Sequence, residues 1–356
     1  MRYVRGYKDT LFGCFFGVRL FISYYRHAFR RKSLRKSFHL PGIDFDHYQH
    51  HRRVQGTLIF VHGMSKLGKD DPRVIKLAES IARTGYRVIV PDFPSIRSLE
   101  IYKGQEDEVF SRLELLCEDT KFVSDKFFLM AVSFSSVFAF HAACHTRLAK
   151  RIAGLCLIGG YFSIDTVLSF ITQSNRSDVY GRLLILKNYY KQLMPEKIEH
   201  QSILERCLLE NDKEDRSWNP DVSLDQSNFV EYEIYCALTK DDVRENIVDN
   251  VRGVIEQAWS EYKLRIDSFQ SNVPVLLIHG RNDRIIPSGE SKRLMRQLVE
   301  RKVPVYLCVT DYLDHANGVF HPSLGGELLH LLRGFAWLLN NRRFIATLNS
   351  CEKRAL

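Results

Sequence analysis

The chain has 356 residues, with 51 Lys+Arg against 42 Asp+Glu and a net charge of +9. All of that excess sits in residues 1–40, which hold ten basic residues and one acid, Asp9, with ten of the chain's aromatic residues. This excludes a body patterned throughout to coat nucleic acid. The absence of any run of about 18 apolar residues excludes a transmembrane bundle. What remains is a charge-balanced body behind a basic, aromatic leader. Its 45% apolar and 26% charged residues suit a globular fold and not a disordered chain.

In the leader, Leu11 to Tyr25 is mostly apolar but interrupted by Arg19. That is too short and too broken for a membrane span. The stretch runs into Arg30-Arg31-Lys32 and not into a small-residue cleavage site, which argues against a secretory signal. On a helical wheel Lys8, Arg19, Arg26 and Arg30 fall within about 40° of one another, with Phe12 and Phe15 intruding on the stripe. Residues 1–36 are therefore expected to lie on an anionic membrane surface as an interfacial helix. The alternative is a helix packed on the body.

From residue 57 the chain alternates short apolar runs with helix-period runs. Thr57 to Val61 reads as a buried strand. Asp71 can cap a helix from Pro72 to Thr84, with Val74, Leu77, Ala78, Ile81 and Ala82 on its apolar face and Gly85 as its stop. Arg87 to Val90 is the next strand. Phe127 to Ala131 follows, then a helix through Cys144. Ile152 to Ile158, Val275 to Ile278 and Val303 to Val309 are further strands, and a last helix spans about Leu324 to Leu339. Strands separated by helices predict a mostly parallel sheet covered on both faces. Between Tyr161 and Asn272 no strand is legible, although Leu183 to Leu193 and Asp241 to Ile266 are helix-prone. A gap of this length is too long for a loop. The expected division is a leader at 1–40, an α/β core at 41–160 and 271–356, and a helical cap inserted at 161–270.

Three candidate sites follow predicted strands, where open α/β sheets bind ligands. In Ala131-Val132-Ser133-Phe134-Ser135, Ser133 has small neighbours at −2 and +2, as a strand-to-helix turn that projects a serine requires. The same serine would serve as an ordinary helix cap. Asp283, in Gly280-Arg281-Asn282-Asp283-Arg284, can orient a histidine or simply form a turn. His315, after the last strand, can act as general base or be a satisfied loop histidine. His321 is a second candidate base and Asp314 a second candidate acid. Backbone N–H groups of Met64, in Phe60-Val61-His62-Gly63-Met64, and of Phe134 can bind an oxyanion.

Over residues 54–342 the chain resembles the α/β-hydrolase-fold serine hydrolases. The resemblance rests on Val61-His62-Gly63, on Ala131 to Ser135, on Gly280 to Pro287, on Asp314-His315 and on the order Ser, Asp, His. Gly85 to Pro94 also resembles the family's early helix-to-strand passage. The elbow departs from the family pattern in lacking both glycines. The resemblance implies an α/β-hydrolase fold with a mostly parallel sheet and a helical cap. It implies cleavage of an ester, thioester or amide through an acyl-serine. Ser133 would be the nucleophile, His315 the base, Asp283 the orienting acid, and the Met64 and Phe134 N–H groups the oxyanion hole.

An ester or thioester of an acyl or lipid-like substrate is the expected partner. A catalytically silent scaffold and an acyltransferase on the same triad are the alternatives. Serine at the elbow disfavours dehalogenase-like and dienelactone-hydrolase-like chemistry. No phosphate loop or metal-ligand spacing is present, so no cofactor, metal or nucleic acid is expected. His50 and His51 read as surface residues. The eight cysteines lack paired spacing and read as reduced thiols of a cytoplasmic protein, peripherally membrane-associated through its leader. In the cap, Leu183, Leu184, Leu186, Tyr189 and Tyr190 are expected to line an acyl pocket or to be inner-face packing.

Overall fold

A computed structural model describes residues 7–27, 32–174, 176–212, 218–247, 250, 260–269, 272–314, 317–318 and 325–339. Helix α1 (Tyr7–Tyr25) precedes strands β1 (Arg35–Leu40), β2 (Ile43–Tyr48) and β3 (Thr57–Val61). Then follow α2 (Pro72–Arg83), β4 (Arg87–Pro91), α3 (Pro94–Arg97), α4 (Gln105–Glu118), β5 (Phe127–Val132), α5 (Ser136–Ala142) and β6 (Ile152–Ile158). Helices α6 (Ile164–Gln173), α7 (Val179–Leu193), α8 (Ile198–Asn211), α9 (Pro220–Ser223) and α10 (Phe229–Thr239) come next. The chain continues through β7 (Val275–Gly280), α11 (Gly289–Glu300), β8 (Val305–Thr310), β9 (Leu313–Asp314), β10 (Asn317–Gly318) and α12 (Gly325–Leu339).

Eight strands form one sheet in the order β1-β2-β4-β3-β5-β6-β7-β8. From β4 to β8 every neighbouring pair is parallel, while β1 and β2 add an antiparallel edge. The strands expected from apolar runs are present within two residues of their expected ends. They are legible because a parallel strand covered on both faces is apolar at nearly every position; all of β3 and β7 is buried. Asp71 caps α2 as expected, its side chain accepting the Arg73 N–H at 2.9 Å.

The β1–β2 hairpin was not anticipated. The start of β2 alternates, with Ile43 and Phe45 inward and Asp44 outward, and Pro41-Gly42 turns between the strands with Gly42 at φ +89°. That turn flanked by alternation was the available signal. The hairpin corrects the boundary drawn at residue 40, because Arg35–Leu40 is an edge strand of the sheet. Charge hid it: Arg35 is one of the leader's ten basic residues, yet its Nε donates to the buried Asp46 at 2.7 Å. Between β6 and β7, neighbours in the sheet, the described residues are helices and turns. Within the stretch expected to be helical from 241 to 266, residues 241–247 and 250 are helical, and Ser260–Tyr262 forms a short 3-10 turn.

The two sheet faces carry separate cores. Ile59, Leu129, Ala131 and Leu157 face α4, α5 and the inserted helices. Leu58, Phe60, Phe128, Met130 and Cys156 face α1, α2 and α12. Helix α1 thus packs on the body: Phe16 and Leu20 are buried with α2 and α12, and Val18 and Ile22 face outward. Arg19 of the expected basic stripe turns inward, its Nη2 donating to the Arg83 carbonyl at the end of α2 at 2.8 Å. His51 meets the same guanidinium at 3.1 Å, while His50 is exposed. No described helix is long and apolar enough to cross a membrane.

Gly17 seats α1. A Cβ added there would stand 2.8 Å from the Leu332 Cβ, closer than side chains tolerate. Replacing Gly17 with leucine is expected to lower stability by about 1–3 kcal/mol, the usual cost of overpacking. Gly326, with open space around it, should accept alanine without loss. Urea midpoints of the two variants check this. An unchanged midpoint for the Gly17 variant would mean that α1 does not dock here in solution.

Cys117, Cys144, Cys156, Cys207, Cys236 and Cys308 are free thiols. Burial pushes Cys308 up to about 12, so it stays protonated and inert. Cys14's side chain and Cys351 lie outside the described residues.

Candidate active site

Strands β3 and β5 are adjacent at the point where the sheet order reverses, with Val61 opposite Ala131. Their carboxyl ends therefore open onto one crevice, the preferred ligand position of open α/β sheets. Met64 leaves β3 there and Ser133 leaves β5. A Cβ on Gly63 would lie 3.8 Å from the Ser133 Cβ, so the two loops are in contact.

Ser133 has φ +57°, the left-handed region. That conformation costs a non-glycine residue about 1–2 kcal/mol, so it persists only where its surroundings enforce it. Here β5 and α5 clamp it from either side, with a single 3-10 turn, Ser133–Ser135, between them. Ala131 and Ser135 at −2 and +2 are both fully buried. The absent glycines of the family pattern are replaced by the next smallest side chains, which fit.

The oxyanion-hole candidates are held from outside. The Phe134 ring is buried in an aromatic cluster, 5.1 Å from the Tyr262 ring and 5.9 Å from Phe138. This fixes the peptide after Ser133. On the other side the Tyr180 hydroxyl, from α7, donates to the Met64 carbonyl at 2.5 Å, so an inserted helix positions the Met64 peptide. His62 is buried. Its Nε2 accepts the Phe93 N–H at 3.2 Å and its Nδ1 faces the Gly63 carbonyl at 3.0 Å. Burial holds its pKa below the ordinary imidazole value. A neutral His62, with its proton on Nδ1, ties the loop after β3 to the loop after β4 and shapes the His-Gly turn.

Asp283 follows β7 and is buried. Its Oδ1 accepts the N–H groups of Ile285 and Ile286, both at 2.9 Å. Its Oδ2 lies above the end of β6, 3.6 Å from where a Gly159 Cβ would stand. The strand between β5 and β7 therefore ends in a glycine beneath the carboxylate. His279, at the same level as Ser133 by strand register, is fully buried with Nε2 3.4 Å from Asp283 Oδ2. Both its nitrogens have partners, the Ile286 carbonyl and Ser291 Oγ, each at 2.7 Å. It is a fastening for the Asp283 loop and has no free nitrogen for proton transfer. The sequence displayed His279 beside Asp283, but nothing in its spacing revealed that role.

His315 and His321 lie outside the described residues. The backbone flanking His315 is described: Asp314 pairs with Asn317 and Leu313 with Gly318. Leu313 borders the same cavity as Ser133, Gly63 and Met64. This cavity has a volume of about 140 Å³. A second one, of about 70 Å³, lies on the other side of Ser133 under α6 and α7. Of the inserted leucines and tyrosines singled out by sequence, Leu184 lines the smaller cavity. Leu183, Leu186, Tyr189 and Tyr190 are buried packing. The inserted helices are docked by Asn188, whose Nδ2 donates to the Leu99 carbonyl at 3.1 Å and whose Oδ1 accepts the Ile101 N–H at 2.9 Å. Among the described residues no cluster of His, Cys, Asp or Glu could hold a metal ion.

Sheet order and the left-handed turn at Ser133 together define an α/β protein with a sharp strand-to-helix turn at the end of a central strand. The family model described as alpha/beta hydrolase fold matches residues 56–317, and the chain belongs to the α/β-hydrolase family. Among solved structures, a Mycobacterium tuberculosis puromycin-hydrolyzing peptidase is similar at 12% identity and TM-score 0.51, covering 87% of this chain and 39% of that one. An acylaminoacyl peptidase in complex with Z-Gly-Gly-Phe-chloromethyl ketone is similar at 12% identity and TM-score 0.45, over 89% of this chain and 41% of its own. A lipase in an open form has 14% identity and TM-score 0.45, over 87% of this chain and 99% of its own. The chain spans about two fifths of the length of the two peptidases. At these identities the likeness is one of fold. No curated protein matches the chain.

Proposed function

We propose that this α/β hydrolase is a serine hydrolase that cleaves carboxylic esters or thioesters of acyl, lipid-like substrates. The observation that carries the reading is the left-handed backbone of Ser133 at the end of β5, between two apolar cavities. A residue that only capped a helix would have no need of a strained turn. In the proposed reaction the Ser133 Oγ adds to the acyl carbonyl and His315 takes its proton, with Asp283 orienting the imidazole. The N–H groups of Met64 and Phe134 hold the oxyanion. Collapse breaks the bond to the alcohol or thiol, which leaves with the proton from His315. Water then adds to the acyl-serine by the same path and releases the acid.

Fluorophosphonate labelling of the full-length protein tests this. The expected adduct is on Ser133, located by peptide mass spectrometry, and is lost on heat denaturation. An adduct on another residue, or none on folded protein, would favour the scaffold reading. A labelled protein that releases acid only when an alcohol acceptor is present would favour the acyltransferase.

A further inference from the structure

The larger cavity at Ser133 lies mostly away from the inserted helices, of whose residues Tyr180 borders it. It descends from the crevice into the opposite helical layer, between α1, α2 and α12. Its walls are Leu20 and Phe21 of α1, Leu77 of α2, and Leu328, Leu332 and Phe335 of α12. Leu332, against which Gly17 of α1 packs, is one of these wall residues. The N-terminal helix, read from sequence as a candidate for membrane contact, is thereby a wall of the space beside the candidate nucleophile.

Several of the polar groups bordering this slot are engaged, while Tyr24, Tyr25 and Tyr312 border it with largely apolar rings. Asp71 and Arg73 pair with each other at 2.5 Å. Tyr180 donates to the Met64 carbonyl, and Ser65 Oγ donates to Asp212 at 3.2 Å. A polar or charged ligand would find little to bind, whereas a hydrocarbon chain would displace only poorly held water. The volume of about 140 Å³ compares with the roughly 150 Å³ apolar cavity that accommodates a six-carbon ring. The smaller cavity, under the inserted helices, is half that size.

We propose that the slot between α1, α2 and α12 is the acyl-chain site, and that the substrate carries an unbranched acyl chain of at least about six carbons. This rests on the reading of Ser133 as nucleophile. The chain enters with its carbonyl at Ser133 and Met64 and its methyl end toward Leu332. The leaving group occupies the smaller space beside Leu184. Each methylene buried is worth about a fourfold gain in kcat/KM. An octanoyl ester, four methylenes longer, should therefore exceed a butyryl ester by roughly two hundredfold.

The test compares p-nitrophenyl butyrate and octanoate on the full-length protein. The readout is the ratio of the two kcat/KM values, which cancels any difference in the fraction of folded enzyme. Leu77→Trp and Leu328→Trp, on two different helices and both only half-buried, put a larger ring into the slot. Each is expected to lower the octanoate-to-butyrate ratio at least tenfold. Leu184→Trp, in the smaller cavity, should keep the ratio within about twofold. The slot assignment is overturned if the Leu184 variant erases the chain-length preference while the two slot variants keep it. It is also overturned if the unaltered enzyme shows no preference while still labelling with fluorophosphonate on Ser133. Failure of that labelling would instead overturn the serine-hydrolase reading beneath it.

Discussion

Ser133→Ala is expected to lower kcat for any ester the enzyme turns over by about 10⁴- to 10⁶-fold, the range seen when a triad nucleophile is deleted. The residue cannot be spared by a neighbour. Ser135 and Ser136 are buried, beneath the turn that places Ser133 at the cavity. Backbone strain supplies a companion result. Alanine keeps the φ of +57° and its cost, whereas glycine adopts that conformation freely. The Ser133→Gly protein should thus be as inactive as Ser133→Ala but more stable by about 1 kcal/mol. Rates on highly purified protein and paired thermal melts check both halves. Retention of a hundredth of the original kcat by the alanine variant would assign the nucleophile elsewhere.

Asp283→Asn should cost about 10³- to 10⁴-fold in kcat with a much smaller effect on folding. The amide oxygen can keep the two acceptor positions that serve Ile285 and Ile286. The amide nitrogen then replaces Oδ2, removing the negative charge that would stabilise an imidazolium on His315. Asp283→Ala differs, because it leaves two buried N–H groups without their acceptor, at about 1–3 kcal/mol each. The asparagine variant should therefore melt near the original and be nearly inactive. The alanine variant should lose stability as well. An asparagine variant with kcat within tenfold of the original would make Asp283 a turn-former and direct attention to Asp314.

The legible parts of this protein were those whose physics is local. Runs such as Thr57–Val61 and Val275–Ile278 are apolar because a central parallel strand has no solvent face. Asp71-Pro72 declared a helix start by its own chemistry. Ser133 was legible through the size of Ala131 and Ser135. The β1–β2 hairpin was hidden because an edge strand keeps charged residues, and Arg35 and Lys36 counted as leader although Arg35 is anchored on buried Asp46. His279 and Tyr180 were not legible as supports, since their partners are a carbonyl seven residues on and a peptide 116 residues away.

The sequence by itself determined the α/β class, the family, and the candidate nucleophile and acid at the ends of two strands, because each depends on residues adjacent in the chain. It also located the +9 in the leader. Only the tertiary structure decided where that leader goes and what space it creates. Hydrophobic pattern marks a helix face for burial but does not name its partner. The docking of Phe16, Gly17 and Leu20 against helices begun at residues 72 and 325 is a long-range choice made by packing. That choice turns a basic N-terminal helix into one side of an apolar slot that reaches Ser133.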